Sequence, residues 1–144
     1  MRKITRIFVH CTAGSQKQTE EDLKAEFKRK GWKAPGYHYV VDAQGQVCQL
    51  LSVEQIANGV YGYNKNSIHI AYMGGIDANG KASDNRTPEQ KKALREIVES
   101  VHKHYPDAAV LGHRDISPDK NGNGIVDPWE RIKECPSFDV ATEL

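Results

Sequence analysis

The chain has 144 residues, of which 38% are hydrophobic, and a formal net charge of +1. A chain of this length buries about two thirds of its unfolded surface on folding, so we expect one domain over residues 1–144. The near-neutral charge excludes the strong basic field of a typical nucleic-acid-binding protein, and we expect no nucleic-acid partner.

The N-terminal segment, residues 1–11, has two basic residues and only a short apolar stretch. That stretch is shorter than the hydrophobic region of a secretory signal peptide, and no run in the sequence approaches membrane-spanning length. We therefore expect no signal peptide, no transmembrane segment and no membrane partner. The three cysteines do not indicate a disulfide framework.

The first half of the chain predicts three strands and one helix. Residues 5–10 form the first strand. Thr19, with Asp22 three residues later, has the pattern of a helix capping box, and Gly31 ends that helix. Two apolar runs around a glycine-containing turn predict a hairpin, at residues 37–42 and 46–51.

The second half predicts a short helical turn at 52–57 and a strand at 67–74. A long helix begins at Thr87, where a proline follows and Gln90 closes a second capping box. A last strand covers residues 108–113. The helix carries an apolar stripe made of Leu94, Ile97, Val98, Val101 and Tyr105. The pattern predicts an α/β fold, a single domain with a mixed central β-sheet and helices packed on its faces.

Three residues in unusual local sequences are candidate metal ligands: His10, His113 and Cys135. Each ends or follows a predicted extended run, so one edge of the sheet could hold all three. Two imidazoles and a thiolate are a recognised ligand set for a catalytic zinc with an open fourth position. One alternative is that each is an ordinary buried side chain. A structural zinc is another, but it usually needs a close ligand pair such as CxxC, which this sequence lacks.

The other cysteines are predicted to be buried thiols. Cys11 follows His10 and should point to the opposite face of its strand, and Cys48 lies in the predicted hairpin.

Six sequence blocks resemble a known family over nearly the whole chain. The blocks are FVHCTA at 8–13, GWKAPGYHYVVDAQGQV at 31–47, GYNKNSIHIAYMGGID at 62–77, TPEQKKAL at 87–94, GHRDISPD at 112–119 and CPSFDV at 135–140. In this order they resemble the type 2 N-acetylmuramoyl-L-alanine amidases, which include small phage endolysins and the peptidoglycan recognition proteins. The resemblance implies the fold of that family, a zinc cofactor, and hydrolysis of the amide bond between N-acetylmuramic acid and L-alanine in peptidoglycan.

Two further residues are candidates for catalysis. The resemblance implies that Tyr37 is the family's catalytic tyrosine, near the reacting groups; the alternative is an ordinary strand aromatic. Lys133 precedes Cys135 by two residues, so in an extended segment both side chains point to one side. An ammonium group there would stabilise the negatively charged tetrahedral intermediate, and we assign Lys133 that role.

Two other histidines are interpreted as structural. His38 alternates with Tyr37 and should face away from it. His69 lies inside a predicted strand, where packing against neighbours is favoured over contact with substrate. The sequence also departs from the family at Asn58 and Gly59, because the phage enzymes often have a histidine before the GYN block.

A loop with an EF-hand pattern lies between the last strand and Cys135. Its calcium-ligand positions would be Asp119, Asn121, Asn123, Asp127 and Glu130, with a glycine at the sharp turn. Only one of the first three ligands is charged and no helix is predicted before the loop, so we expect weak calcium binding at most. The alternative is a turn without a metal.

The sequence interpretation is thus a zinc amidase with bacterial peptidoglycan as its partner and substrate. The competing hypothesis is a non-catalytic peptidoglycan-binding module of the same fold. We expect a monomer of the phage or prophage endolysin type, which stays in the cytoplasm until it is released to the cell wall at lysis.

Overall fold

The computed structural model describes residues 3–60, 62–116, 135–138 and 140. Its main elements in chain order are β1 (Arg6–Cys11), α1 (Glu20–Arg29), β2 (Tyr39–Val41), β3 (Val47–Gln49), β4 (Ser67–Tyr72), α2 (Pro88–His104) and β5 (Ala109–Gly112). Two short 3-10 helices, Asn64–Asn66 and His113–Ile116, precede β4 and follow β5. The strands and the two long helices follow one another in the order that the sequence pattern predicts.

The strands form one sheet in the order β3-β2-β4-β1-β5. The strands β2, β4, β1 and β5 run parallel, and β3 pairs antiparallel with β2 at the edge. Strands of a parallel sheet are covered on both faces, and all six residues of the central β4 are buried. The structure confirms the predicted α/β fold with a mixed sheet.

In the part of the chain that the structure describes, α2 packs on one face of the sheet and α1 on the other. On one face, Leu94 and Val98 of α2 belong to the larger core cluster, together with Val9 of β1. On the other face, Phe27 of α1 packs in a smaller cluster that includes Ala71 of β4. Ala71 is the register partner of His10. His10 therefore points to the α1 side of the sheet, because side chains alternate along a strand.

Both predicted capping boxes are present. The Thr19 side chain accepts a hydrogen bond from the Asp22 N–H, and the Asp22 carboxylate accepts one from the Thr19 N–H. Thr87 and Gln90 make the same reciprocal pair at the start of α2. The predicted stripe of α2 faces the core, with Leu94, Val98 and Val101 buried and Ile97 and Tyr105 half-buried.

Several predicted boundaries are too wide. The strand predicted at 37–42 is only Tyr39–Val41, and the one at 46–51 is only Val47–Gln49. The short helical turn predicted at 52–57 is a single turn, closed by a 3.0 Å hydrogen bond from the Gln55 N–H to the Ser52 carbonyl. Cys48 is half-buried rather than buried, because β3 is the edge strand of the sheet.

Within the described part of the chain, neither α1 nor α2 combines the length and the apolar character that a membrane-spanning helix needs.

Candidate metal centre

Two neighbouring parallel strands bring the predicted histidine ligands together. Val9 of β1 pairs with Gly112 of β5, so the residues that follow, His10 and His113, lie side by side at the same edge of the sheet. Their ring centroids are 5.0 Å apart and the rings meet edge to face.

Cys135 completes the group. Its Sγ lies 3.9 Å from Nδ1 of His10. One potential ligand atom from each of His10, His113 and Cys135 lies within 4.8 Å of the other two. His10 is buried, whereas His113 and Cys135 are half-buried. Three convergent ligands with a partly open side have the geometry of a metal site that keeps one position for water or substrate.

Contacts from β4 and from the loop before α2 hold the segment that carries Cys135. The Tyr72 hydroxyl donates a 2.6 Å hydrogen bond to the carbonyl of Pro136. The Arg86 guanidinium lies 3.5 Å from the ring centroid of Phe138, a cation–π contact in a buried setting. These contacts fix the position of Cys135 beside the histidines.

The thiols of Cys11 and Cys135 interact. A hydrogen bond with Cys135 lowers the pKa of Cys11 from 9 to about 7, against the effect of burial, which raises it. The backbone N–H of Cys11 donates to Sγ of Cys135 at 3.0 Å. Because a donor stabilises a thiolate, the N–H favours negative charge on Cys135. The lowered pKa belongs to Cys11, whereas the N–H contact favours the thiolate form of Cys135.

Tyr37 lies beside the metal centre. Its ring centroid is 5.3 Å from that of His10, and its hydroxyl donates a 3.4 Å hydrogen bond to the carbonyl of Cys11. Burial, followed by the negative charge of Cys135, raises the pKa of Tyr37 well above its usual value. The phenol therefore stays protonated near neutral pH, and its single O–H can exchange the long bond to the Cys11 carbonyl for one to a bound ligand.

A cavity of about 290 Å³ opens beside the three ligands. Trp32, 37% exposed, stacks on Phe27 at one side of it, with ring centroids 5.6 Å apart. The Lys30 ammonium lies 4.9 Å from the centroid of the Trp32 ring and 3.3 Å from the Glu26 carboxylate. The wall thus offers an aromatic surface and charged groups, which suits a ligand with both apolar and polar parts.

The structure adds a contact of His10 that the sequence interpretation missed. Nε2 of His10 lies 2.9 Å from Nδ1 of His69, and both residues are buried. The sequence predicts packing for His69, and the ring does pack against Phe8. Phe8 and His10 are two residues apart on β1, so their side chains share a face of the sheet. His69 is the register partner of Phe8 on β4 and therefore lies on that face too. The sequence interpretation did not use this relationship. His38, interpreted as structural, is buried and bonds through Nε2 to the carbonyl of Gln55.

Other predicted site residues lie outside the described part of the chain. This holds for Lys133 and for the predicted calcium ligands Asp119, Asn121, Asn123, Asp127 and Glu130. Their roles stay predictions from the sequence.

Comparisons with known proteins agree on one family. A model of the N-acetylmuramoyl-L-alanine amidase family matches residues 1–136. The chain is 30% identical over 141 residues to an endolysin of Enterobacteria phage K11, covering 96% of this chain and 84% of that protein.

Solved structures show the same fold. The Ph2119 endolysin, from a bacteriophage of Thermus scotoductus MAT2119, has a TM-score of 0.72 and 28% identity, covering 94% of this chain and 79% of that one. The Drosophila peptidoglycan recognition protein PGRP-LB has a TM-score of 0.69 with 18% identity, covering 94% and 76% of the two chains. The second likeness concerns the fold alone.

Proposed function

The chain belongs to the N-acetylmuramoyl-L-alanine amidase family, and from that membership we propose that it is a zinc-dependent hydrolase of bacterial peptidoglycan. The bond cleaved is the amide between N-acetylmuramic acid and the L-alanine that begins the stem peptide. We further propose that residues 1–144 act as one catalytic domain.

The convergence of His10, His113 and Cys135 carries this proposal. A thiolate and two imidazoles match the ligand preferences of zinc. The hydrogen bond between Nε2 of His10 and His69 leaves Nδ1 as the ligand atom, and Nδ1 is the atom that faces Cys135. The three ligand atoms thus fit zinc in type and in orientation.

The chain's own residues have separate roles in the proposed reaction. His10, His113 and Cys135 would hold the zinc, which would supply Lewis acidity and lower the pKa of a bound water to about 7. The protonated Tyr37, beside His10, donates a hydrogen bond to the reacting carbonyl group or orients the nucleophile. Lys133 places positive charge near the oxyanion of the tetrahedral intermediate.

The cavity beside the ligands is the proposed binding site for the muramyl peptide. Its exposed Trp32 face suits stacking against a sugar ring or an apolar part of the peptide, and Lys30 can pair with a carboxylate of the substrate. Substrate bound there would have its amide next to the metal ligands.

Digestion of purified peptidoglycan tests the proposal. Mass analysis of the products should find stem peptides that begin with a free L-alanine amine, and the yield should fall when the protein is stripped of zinc and recover when zinc is returned. New reducing sugar ends without new amines would instead show a glycosidase and reject the proposal.

A non-catalytic binding module is the second candidate, because peptidoglycan recognition proteins share the fold. The same experiment distinguishes it. A binding module would sediment with insoluble peptidoglycan and release no amine, whereas the proposed enzyme releases amine and solubilises the wall.

The endolysin relatives support a biological context. We propose that the protein acts on the cell wall as a monomer after its release at lysis, as a phage or prophage endolysin. Calcium binding by the loop at 119–130 is a separate proposal, which rests on the sequence pattern alone.

A further inference from the structure

His69 is fully buried on β4, on the face of the sheet that carries His10. Its Nδ1 lies 2.9 Å from Nε2 of His10. A buried contact of this length between two imidazoles is a hydrogen bond in which one ring donates and the other accepts. Which ring donates follows from the other contact of the His10 ring.

The orientation of His10 assigns the donor. Nδ1 of His10 faces Sγ of Cys135 and is the proposed zinc ligand, so this nitrogen must be unprotonated when the metal is bound. The proton of the neutral ring is then on Nε2, which donates to Nδ1 of His69. A hydrogen bond on the second nitrogen of a ligating histidine fixes both its tautomer and its orientation.

The His69 ring is itself held in place on both sides. It lies nearly parallel to the ring of Phe8, at 8° and 5.6 Å, and to the ring of His38, at 5° and 5.9 Å. The His38 ring is fixed in turn, because its Nδ1 accepts a 3.0 Å hydrogen bond from the backbone N–H of His69 and its Nε2 bonds to the carbonyl of Gln55 at 2.8 Å. The acceptor that meets His10 is therefore fixed by two neighbouring strands and a loop.

The backbone of Gly59 lies directly against the His69 ring. A Cβ atom added to Gly59 would lie only 2.4 Å from Nδ1 of His69. No side chain at this position can coexist with the His69 ring where it stands, because real Cβ contacts do not occur at that distance. The glycine permits the loop backbone to approach the hydrogen bond between His69 and His10.

We propose that His69 is a positioning residue of the zinc site, which holds His10 with Nδ1 directed at the metal. The proposal rests on the proposed zinc-dependent function. It assigns His69 no contact with substrate or metal. Its effect is on the affinity and geometry of the site, through the ring of His10.

Zinc affinity of a pair of variants tests this role. In His69→Asn the Oδ1 atom replaces Nδ1 as the acceptor, whereas His69→Leu removes the acceptor. The zinc dissociation constant is measured by competition with a chromophoric chelator. It should rise about 10- to 100-fold in His69→Leu, which is the usual effect of removing the hydrogen-bond partner of a ligating histidine. His69→Asn should keep most of the affinity. His102→Leu is the control, because it makes the same replacement at the end of α2, where Nε2 of His102 contacts the carbonyl of Ala108.

Cobalt substitution gives a readout independent of activity. The visible absorption of Co²⁺ at the site reports ligand geometry, and we expect an altered spectrum in His69→Leu with a wild-type spectrum in His69→Asn. If His69→Leu is not folded by circular dichroism, Gly59→Ala replaces it. The added methyl should displace the His69 ring and weaken zinc binding, and the effect should shrink in the Gly59→Ala/His69→Asn double variant, where the smaller side chain leaves room.

The outcomes separate the two proposals. Wild-type protein that binds no zinc at the micromolar level would reject the zinc-dependent function itself. Tight zinc binding by wild type, with equal affinity and an unchanged cobalt spectrum in folded His69→Leu or in Gly59→Ala, would reject the role of His69 and leave the zinc site intact.

Discussion

The backbone N–H of Cys11 donates a 3.0 Å hydrogen bond to Sγ of Cys135, although 124 positions separate the two residues in the sequence. Because Cys11 directly follows His10, the end of β1 both supplies one proposed ligand and orients another. The bond favours the thiolate form of Cys135, which is the form that binds metal. Affinity for zinc should accordingly depend on the sulfur of Cys135.

Replacement of that sulfur tests the proposed site. We expect Cys135→Ser to lose bound zinc during dialysis against a chelator and to have no measurable amidase activity, because a serine hydroxyl is a poor ligand for zinc. Elemental analysis of the dialysed protein measures the zinc content. Cys48→Ser is the control, since Cys48 is a half-buried thiol on β3. A full equivalent of zinc and full activity in Cys135→Ser would show that the ligand set is wrong.

Removal of the Tyr37 hydroxyl separates catalysis from metal binding. Tyr37→Phe keeps the ring that packs on His10 and Phe27 but loses the hydrogen-bond donor. We expect wild-type zinc content and a fall in kcat of about 10²- to 10⁴-fold, the usual contribution of a positioned proton donor. Tyr39→Phe, on neighbouring β2, should keep wild-type kcat. Turnover of Tyr37→Phe within a few-fold of wild type would reject its catalytic role.

Sequence patterns were sufficient for the elements that depend on local periodicity. The capping boxes at Thr19 and Thr87 and the apolar stripe of α2 are visible in the sequence, because they depend on residues three or four apart. The chemistry of His10, His113 and Cys135 was visible too. Their distances were not, because these depend on the order of β1 and β5 in the sheet.

Contacts between strands account for what the sequence did not reveal. His69 meets His10 through the parallel register of β1 and β4, and no local pattern encodes that register. The hydrogen bond from Tyr72 to Pro136 likewise joins distant segments. The strand predicted at 37–42 is longer than the observed β2. The backbone N–H of His38 donates to the carbonyl of His69 on β4, but His38 is not part of the regular strand pairing.

The two capping boxes should differ in their contribution to stability. Thr87→Ala removes the N-terminal cap of α2 and also the 2.7 Å hydrogen bond from the Thr87 hydroxyl to the carbonyl of Ala43. We expect a loss of about 1.5–3 kcal/mol in the free energy of unfolding, measured with denaturant. Thr19→Ala removes an exposed cap only and should cost about 0.5–1 kcal/mol. Equal losses would mean that the bond to Ala43 contributes nothing measurable.

Calcium should bind weakly to the loop at 119–130, if the EF-hand pattern is functional there. With only one charged residue among the first three ligand positions, we expect a dissociation constant on the order of millimolar. A rise in melting temperature at millimolar calcium that is absent in Glu130→Gln would establish the site. No rise would identify the loop as a turn, and micromolar affinity in titration calorimetry would contradict the expected weakness.

Lys133 is predicted to act on the transition state without binding metal. It stands two residues before Cys135, and its ammonium is proposed to stabilise the oxyanion that forms when the amide is attacked. Lys133→Ala should therefore retain a full equivalent of zinc and the wild-type melting temperature, while kcat falls by about 10²- to 10³-fold. Because the charge on the substrate develops only in the transition state, KM should change little. Lys103→Ala, an exposed lysine near the end of α2, controls for the loss of one surface charge. A zinc content that fell together with kcat would instead indicate that Lys133 supports the ligand segment, and turnover close to wild type would remove Lys133 from the proposed reaction.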